Sequence, residues 1–276
     1  MLVCAGNRFG TRSENGGDRL TLGVQVLGPV TVVVRGQERA LQWNVQEALF
    51  ACLVMARGRP LPAQLLIDQL WGDLPPRDPA HALQARVSRL RSALKTRIEH
   101  TYGGYRLDPD ILRTDADRFV ELVAEADRLL ASDRVERAAD PLHEALGLWR
   151  GPAFGGLPHI CVLRAEAIRL EQLRTATLID RIDVDLVLGR HAELVPELHA
   201  LVAEHPLIER HWAQLMLALY AQDRPLEALA IFNRASEVFS QLLGVGIDAV
   251  ESASELAALR TAIVQQQPAA SLLRWR

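Results

Sequence analysis

DPAHALQARVSRLRSALKTRIEHTYGGYR, Asp78 to Arg106, carries in one run a helical apolar period, a row of basic residues and a Gly-Gly pair. At about 100° per residue, Leu83, Val87, Leu90 and Leu94 fall on one stripe, the face that must be buried. Gln84, Ala85, Ser88, Arg89, Ser92 and Lys95 then point away from the core, while Arg86, Arg91 and Arg97 flank the stripe. A major groove about 12 Å wide admits a helix whose central side chains are short, with arginine on guanine edges and flanking cations on phosphates. Ala85, Ser88 and Ser92 meet that size demand, so the stretch reads as a DNA-recognition helix. A merely solvated Arg-rich helix has the same composition, and the neighbouring segments decide between the two. Behind the helix, Ile98 to Tyr102 and Tyr105 to Leu107 flank Gly103-Gly104, which predicts a two-residue hairpin connection with positive φ. That hairpin is the expected wing, offering His100, Tyr102 and Arg106 to the DNA backbone or the minor groove.

Upstream, TLGVQVLGPVTVVVRGQERALQ from Thr21 shows two β-rich runs broken by Gly28-Pro29 and by Arg35-Gly36-Gln37, a small antiparallel sheet. Asn44-x-x-Glu47 has the form of a capping box opening an apolar helix from Val45 to Arg57, closed by Gly58. Pro62 starts a short helix with Leu65, Leu66, Ile67, Leu70 and Trp71, ended by Gly72-Asp-Leu-Pro-Pro76. Sheet, three helices and hairpin make a winged helix-turn-helix over residues 20–110.

Charge separates this part from the rest. Residues 1–106 hold 14 Arg/Lys against 8 Asp/Glu, a net of +6, and residues 107–276 hold 17 against 26, a net of −9. A basic first part suits a polyanionic partner, and an acidic remainder does not. Cys4, Cys52 and Cys161 are odd in number and far apart, so neither a disulfide framework nor a zinc site is indicated and a reducing cytoplasm fits. Residues 1–19 lack an apolar signal-type core and are expected to be disordered. The longest apolar run, Ala48 to Ala56, is too short to cross a bilayer, so no membrane partner is expected.

From Thr114 the pattern changes to amphipathic helices with almost no strand signal. Asp115-Ala-Asp117 is positioned to cap a helix to about Ala131, and 3.6-residue periodicity predicts further helices over 135–149, 160–188, 191–204, 208–221, 224–243 and 252–266. Arg190-His-Ala-Glu193 and Arg224-Pro-Leu-Glu227 each open a helix-turn-helix unit, 34 residues apart, the tetratricopeptide period. Such units bury their faces against neighbours and leave a surface for another protein. A helical bundle with a chance spacing is the alternative. The expected fold is mostly α with a small β part: winged helix-turn-helix, then an all-α tetratricopeptide-like domain over 113–267 and a tail over 268–276.

No constellation of catalytic residues emerges. His159-Ile-Cys161 has no partner at a useful spacing, Asp180, Asp183 and Asp185 read as the polar edge of a packed helix, and His199, His205 and His211 do not fit zinc-motif spacing. Neither G-x-x-x-x-G-K-[ST] nor G-x-S-x-G occurs. An enzyme is not expected, and no cofactor or metal is called for.

Several ordered blocks resemble a known family. Val26-Leu-Gly-Pro29, Leu66-Ile-Asp-Gln-Leu-Trp-Gly72, Leu83-Gln84 with Val87-Ser-Arg-Leu-Arg91, Gly104-Tyr105 and Asp115-Ala-Asp-Arg-Phe119 resemble the Streptomyces antibiotic regulatory proteins. Leu148-Trp-Arg-Gly-Pro152, Asp180-Arg-Ile-Asp-Val-Asp-Leu186, Leu188 to Leu198, Glu204-His-Pro206 and Leu215 to Tyr220 are similar to that family's bacterial transcriptional activator domain. The resemblance runs from about 20 to 265. It implies an OmpR-like winged helix binding promoter direct repeats, a homodimer on DNA, contact with RNA polymerase holoenzyme, a place on the nucleoid in the cytoplasm, and control of antibiotic biosynthesis genes. The outward face of the helix and the wing make Gln84, Arg86, Ser88, Arg89, Arg91, Ser92, Lys95, Arg97, Tyr102 and Arg106 the expected DNA contacts. Two departures stand out: Glu47 where the family usually has a basic residue, and Gly246 to Ser254 in place of the usual Pro-Gly-x-x-Leu. A tetratricopeptide-type adaptor whose winged domain binds no DNA is the competing reading.

Overall fold

The computed structural model describes residues 22–34, 37–40, 44–94, 96–108, 112–155, 157, 160–244 and 254–273. The start of the chain, Lys95, His159 and the departure segment up to 253 lie outside the described residues. The chain divides into two compact units: the part up to Glu121 together with Gly147–Arg174, and Leu122–Leu146 together with Thr175 onward.

The first unit opens with β1 (Leu22–Gln25), β2 (Thr31–Val34) and β3 (Gln37–Ala40), and β6 (Leu112–Thr114) completes a sheet of order β3-β2-β1-β6. The expected antiparallel hairpins are present, with Val24 opposite Val32 and both almost fully buried. β6 is an addition. It pairs parallel to β1, Leu22 with Leu112, because the chain returns across the domain before reaching it. Helix α1 (Asn44–Met55) is buried on nearly every side from Ala48 to Val54, as an all-apolar helix at the centre of a domain must be. Its Cys52 thiol is pushed up to about 12 by burial. Glu47 does not close a local capping box: its Oε1 accepts the Val30 N–H at 3.3 Å, which ties α1 to the β1–β2 connection. Burial raises the Glu47 pKa, and the Val30 hydrogen bond offsets part of that.

Helix α4 (Asp115–Leu130) is capped one residue earlier than the Asp115–Asp117 reading places it. Thr114 Oγ1 accepts the Asp117 N–H (3.0 Å) while Asp117 Oδ2 accepts the Thr114 N–H (3.4 Å) and hydroxyl (2.7 Å), a reciprocal capping box. Burial pushes the Asp117 carboxyl up, but the bonds from Thr114 and Arg57 outweigh it and hold the pKa below its ordinary value. Asp115 is thereby turned inward. It is buried and accepts the N–H groups of Val26 (2.7 Å) and Leu27 (3.2 Å), with Arg150 Nη2 at 3.6 Å. The Arg150 and Phe154 N–H groups in turn reach Leu27 O (2.8 Å) and Val26 O (2.7 Å). The end of β1 is therefore satisfied by residues about 90 and 125 positions away in sequence.

The second unit is helical. Helices α5 (Val135–Gly147) and α6 (Cys161–Val187), which enters this unit at Thr175, precede α7 (His191–Glu204), α8 (Glu209–Tyr220) and α9 (Pro225–Leu243). The chain then forms α10 (Glu255–Val264) and α11 (Ala269–Leu272). The first residues of α7 and α9 are 34 apart, matching the repeat spacing, and α8 packs against both. Trp212 is buried and donates its Nε1–H to Pro206 O at 3.0 Å, locking the α7–α8 turn. Two of the aspartates on α6 are tied into the fold: Asp185 takes Arg190 (2.7 Å), Arg181 (3.3 Å) and His143 (3.2 Å), and Asp183 takes Arg210 and Gln214. No helix among the described residues is long and apolar enough to cross a membrane.

His211 is fully buried, with Gln214 Oε1 at 3.2 Å. Burial holds its pKa below the ordinary histidine value; Asp183 and Glu197 pull upward, and His205 adds to the lowering. The folded chain keeps His211 neutral while the unfolded chain protonates it below about pH 6.5, so stability is complete above that pH and is lost as pH falls toward the folded-state pKa. Thermal denaturation between pH 7 and 5 should show this loss, at most about 1.4 kcal/mol per pH unit from this group. His211→Gln should flatten it, and an unchanged pH slope would remove His211 from the account.

Candidate nucleic-acid interface

Helix α2 (Ala63–Trp71) and helix α3 (Pro79–Leu94) are separated by a turn whose Gly72 sits at φ +52, a conformation glycine adopts without Cβ strain. Asp78 caps α3: its Oδ1 accepts the His81 N–H at 3.0 Å, and Pro79 occupies the first helical position, where no N–H is missed. Leu83, Val87, Leu90 and Leu94 are all buried, so the apolar stripe is the core face. With that face seated, Gln84, Ser88, Arg89 and Ser92 are exposed and Ala85 and Arg86 half-buried. His81, absent from the expected contacts, is exposed too, and its 81-85-88-92 spacing with Ala85, Ser88 and Ser92 places it on the same row.

The wing is β4 (Ile98–Thr101) and β5 (Gly104–Leu107), with Thr101 opposite Gly104. The connecting pair is therefore Tyr102-Gly103, one residue earlier than the expected Gly103-Gly104, and of the two glycines only Gly104 has positive φ, at +121. The reason is a close approach: Leu61 exchanges two backbone hydrogen bonds with Tyr105, 2.8 and 2.9 Å, and a Cβ on Gly104 would stand 1.9 Å from Leu61 O. Tyr102 is left fully exposed at the tip, while His100 lies against the buried Tyr105 ring, centroids 4.7 Å apart.

The cations divide by what holds them. Arg91 donates from Nε to Ile98 O (2.8 Å) and from Nη2 to the same oxygen, so it fastens α3 to the first strand of the wing. Arg97 (3.2 Å) and Arg106 (2.6 Å) share Glu99, which neutralises part of the wing's charge. Arg86 and Arg89 have no ion pair among the described residues, and neither has Arg77 in the turn before α3. Ser92 returns its hydroxyl to Ser88 O at 3.1 Å, which keeps the centre of the outward face low. The arrangement is an exposed face of short polar groups flanked by guanidinium groups without an ion pair among the described residues, on a helix fastened to the base of a hairpin with an exposed aromatic tip.

Residues 114–264 match the family model of the bacterial transcriptional activator domain. The regulatory protein DnrI of Streptomyces peucetius is 32% identical over 257 residues, covering 89% of this chain and 93% of that protein. The transcriptional regulator RedD of Streptomyces coelicolor is 33% identical, over 80% of this chain and 66% of its own length. The regulatory protein AfsR of the same species is 37% identical, but this chain spans only 24% of it. Among solved structures, Mycobacterium tuberculosis EmbR in complex with a low affinity phosphopeptide superposes with a TM-score of 0.79 at 28% identity, covering 92% of this chain and 69% of that one.

Proposed function

Because the chain belongs to the bacterial transcriptional activator domain family and, across its length, to the Streptomyces antibiotic regulatory proteins, we propose that it is a sequence-specific DNA-binding activator of transcription. In this reading it acts in the cytoplasm, on the nucleoid. Residues 20–110 would hold the DNA surface and residues 113–267 the activating surface, a functional division that differs from the two compact units. Two copies would bind direct repeats side by side at a promoter and present the acidic helical domains to RNA polymerase holoenzyme, switching on antibiotic biosynthesis genes.

The observation that carries the reading is the exposed face of α3, where Arg89, with no ion pair among the described residues, stands beside Ser88 and Ser92. A guanidinium free of internal partners can form a bidentate contact with guanine, and short neighbours let it come within reach. Arg86, Gln84 and Tyr102 serve on the flanks, with Arg106 and Arg97 on phosphates in competition with Glu99. Arg91 acts mainly by holding the wing against α3. Footprinting on promoter DNA from the protein's own genomic neighbourhood tests the function: protected direct repeats are expected, and no protection together with no binding to any duplex would favour the adaptor.

Arg89→Ala should weaken binding to the specific site by about 1–3 kcal/mol while leaving random duplex nearly unchanged. The measurement is a pair of titrations at one salt concentration. Equal losses on both DNAs would reassign Arg89 to a phosphate.

A further inference from the structure

Glu99 stands directly opposite Arg106 in the β4–β5 register, while Ile98, Tyr105 and Leu107 form the buried face of the hairpin. Arg106 gives both its Nε–H (2.7 Å) and its Nη2–H (2.6 Å) to Glu99 Oε2, and Arg97 Nε reaches Oε1 at 3.2 Å. One carboxylate therefore holds two guanidinium groups, one on each oxygen. The three side chains are unequally covered: Glu99 is 25% exposed, Arg106 43% and Arg97 84%. The acid is the covered partner, and the cations are the open ones.

A guanidinium grips a phosphate best through two parallel N–H groups on one edge. In Arg106 the edge carrying Nε–H and Nη2–H is already given to Glu99. A phosphate approaching the wing meets the Glu99 charge at close range and must displace it, and exposed pairs of this kind are weak enough to be displaced. We propose that Glu99 is an internal competitor for phosphate, acting through Arg97 and Arg106, which holds down the affinity of a single copy for duplex of any sequence. This rests on the DNA-binding reading and deepens it. These three residues bring a net charge of +1 to the DNA in place of the +2 of the arginines alone, so each copy releases fewer counterions. Lasting occupancy is then left to sites where base contacts by α3, or a second copy on the adjoining repeat, add to the phosphate contacts.

The full-length parent, Glu99→Gln, the double variant Arg97→Ala with Arg106→Ala, and the triple variant form a cycle when titrated with a random-sequence duplex over a range of salt concentrations. Glutamine keeps the size of the side chain and one acceptor oxygen and removes the charge. Glu99→Gln is expected to tighten binding at least about fivefold at low salt and to steepen the dependence of log K on log salt by up to about two, one for each arginine released. With both arginines absent, the same change should alter affinity by less than about twofold. A gain that persists undiminished in the triple variant would mean that Glu99 acts by its field alone, and it would overturn the proposal. So would an unchanged affinity in Glu99→Gln, or a fall in its melting temperature with no gain in affinity, which would make the acid a pair that only holds the hairpin. Parent and variant both failing to bind any duplex would overturn the DNA-binding reading itself, whereas a parent that binds and a variant that gains nothing overturns this inference alone.

Discussion

Gly104→Ala should unfold the winged unit at physiological temperature or bring it close to that point, a loss of about 3–5 kcal/mol. Two costs combine. The φ of +121 lies where side chains with a Cβ are strained, and the added carbon would stand 1.9 Å from Leu61 O and 2.4 Å from Leu61 C, backbone atoms that cannot rotate away. Relief requires β5 to move off Leu61, which breaks both hydrogen bonds between Leu61 and Tyr105 and draws the buried Tyr105 and Leu107 from the core. Specific DNA binding should go with it, because the wing is hung from this contact. Circular dichroism melts and duplex titrations check both parts. A variant melting within a few degrees of the parent would mean that the approach to Leu61 is far more compliant than its geometry implies. Gly103→Ala is the control: its backbone does not need positive φ, and the nearest atom to an added Cβ is Pro60 Cβ at 3.2 Å, so a much smaller loss is expected.

Asp115→Ala is expected to cost about 3–5 kcal/mol, the range for breaking a buried charge pair and stranding buried donors. The carboxylate holds the Val26 and Leu27 N–H groups where neither has a ladder partner, and it faces Arg150, whose own N–H is bonded to Leu27 O. Around this point Phe119, Phe154, Leu157, Ile160 and Leu163 are buried within the same unit. Asp115→Asn keeps one acceptor oxygen and should lose less. Urea denaturation of both variants decides it; equal small losses would show that the two backbone donors find other acceptors. By the same argument a fragment ending at residue 110 lacks β6, Asp115 and the 147–174 segment, and should be markedly less stable than the intact chain.

The elements that period and punctuation predict were legible. The stripe of Leu83, Val87, Leu90 and Leu94 is the buried face of α3, α7 begins and ends where its pattern does, and the 34-residue offset appears as the spacing of α7 and α9. Each depends on neighbours within a turn or two, so each is written locally. The outward face of α3 was legible for the same reason, as the complement of its stripe. The state of its cations was not. Arg91 fastened to Ile98 and Arg97 and Arg106 sharing Glu99 depend on how the wing folds back, and composition counts all three simply as positive.

The sequence by itself determined the class of fold, the order of its helices, the charge division and the helix that faces outward, because helical amphipathicity and turn chemistry are local and repeat many times. Only the tertiary structure decided which glycine the wing requires, that Glu47 serves Val30 and not its own helix, that Asp115 turns inward, and that residues 147–174 pack with the winged unit. Each of these rests on one or a few contacts between positions 17 to about 125 apart. Satisfying a buried N–H or admitting a close backbone approach leaves no periodic trace in the chain, so the partner is chosen only when the fold brings the two together.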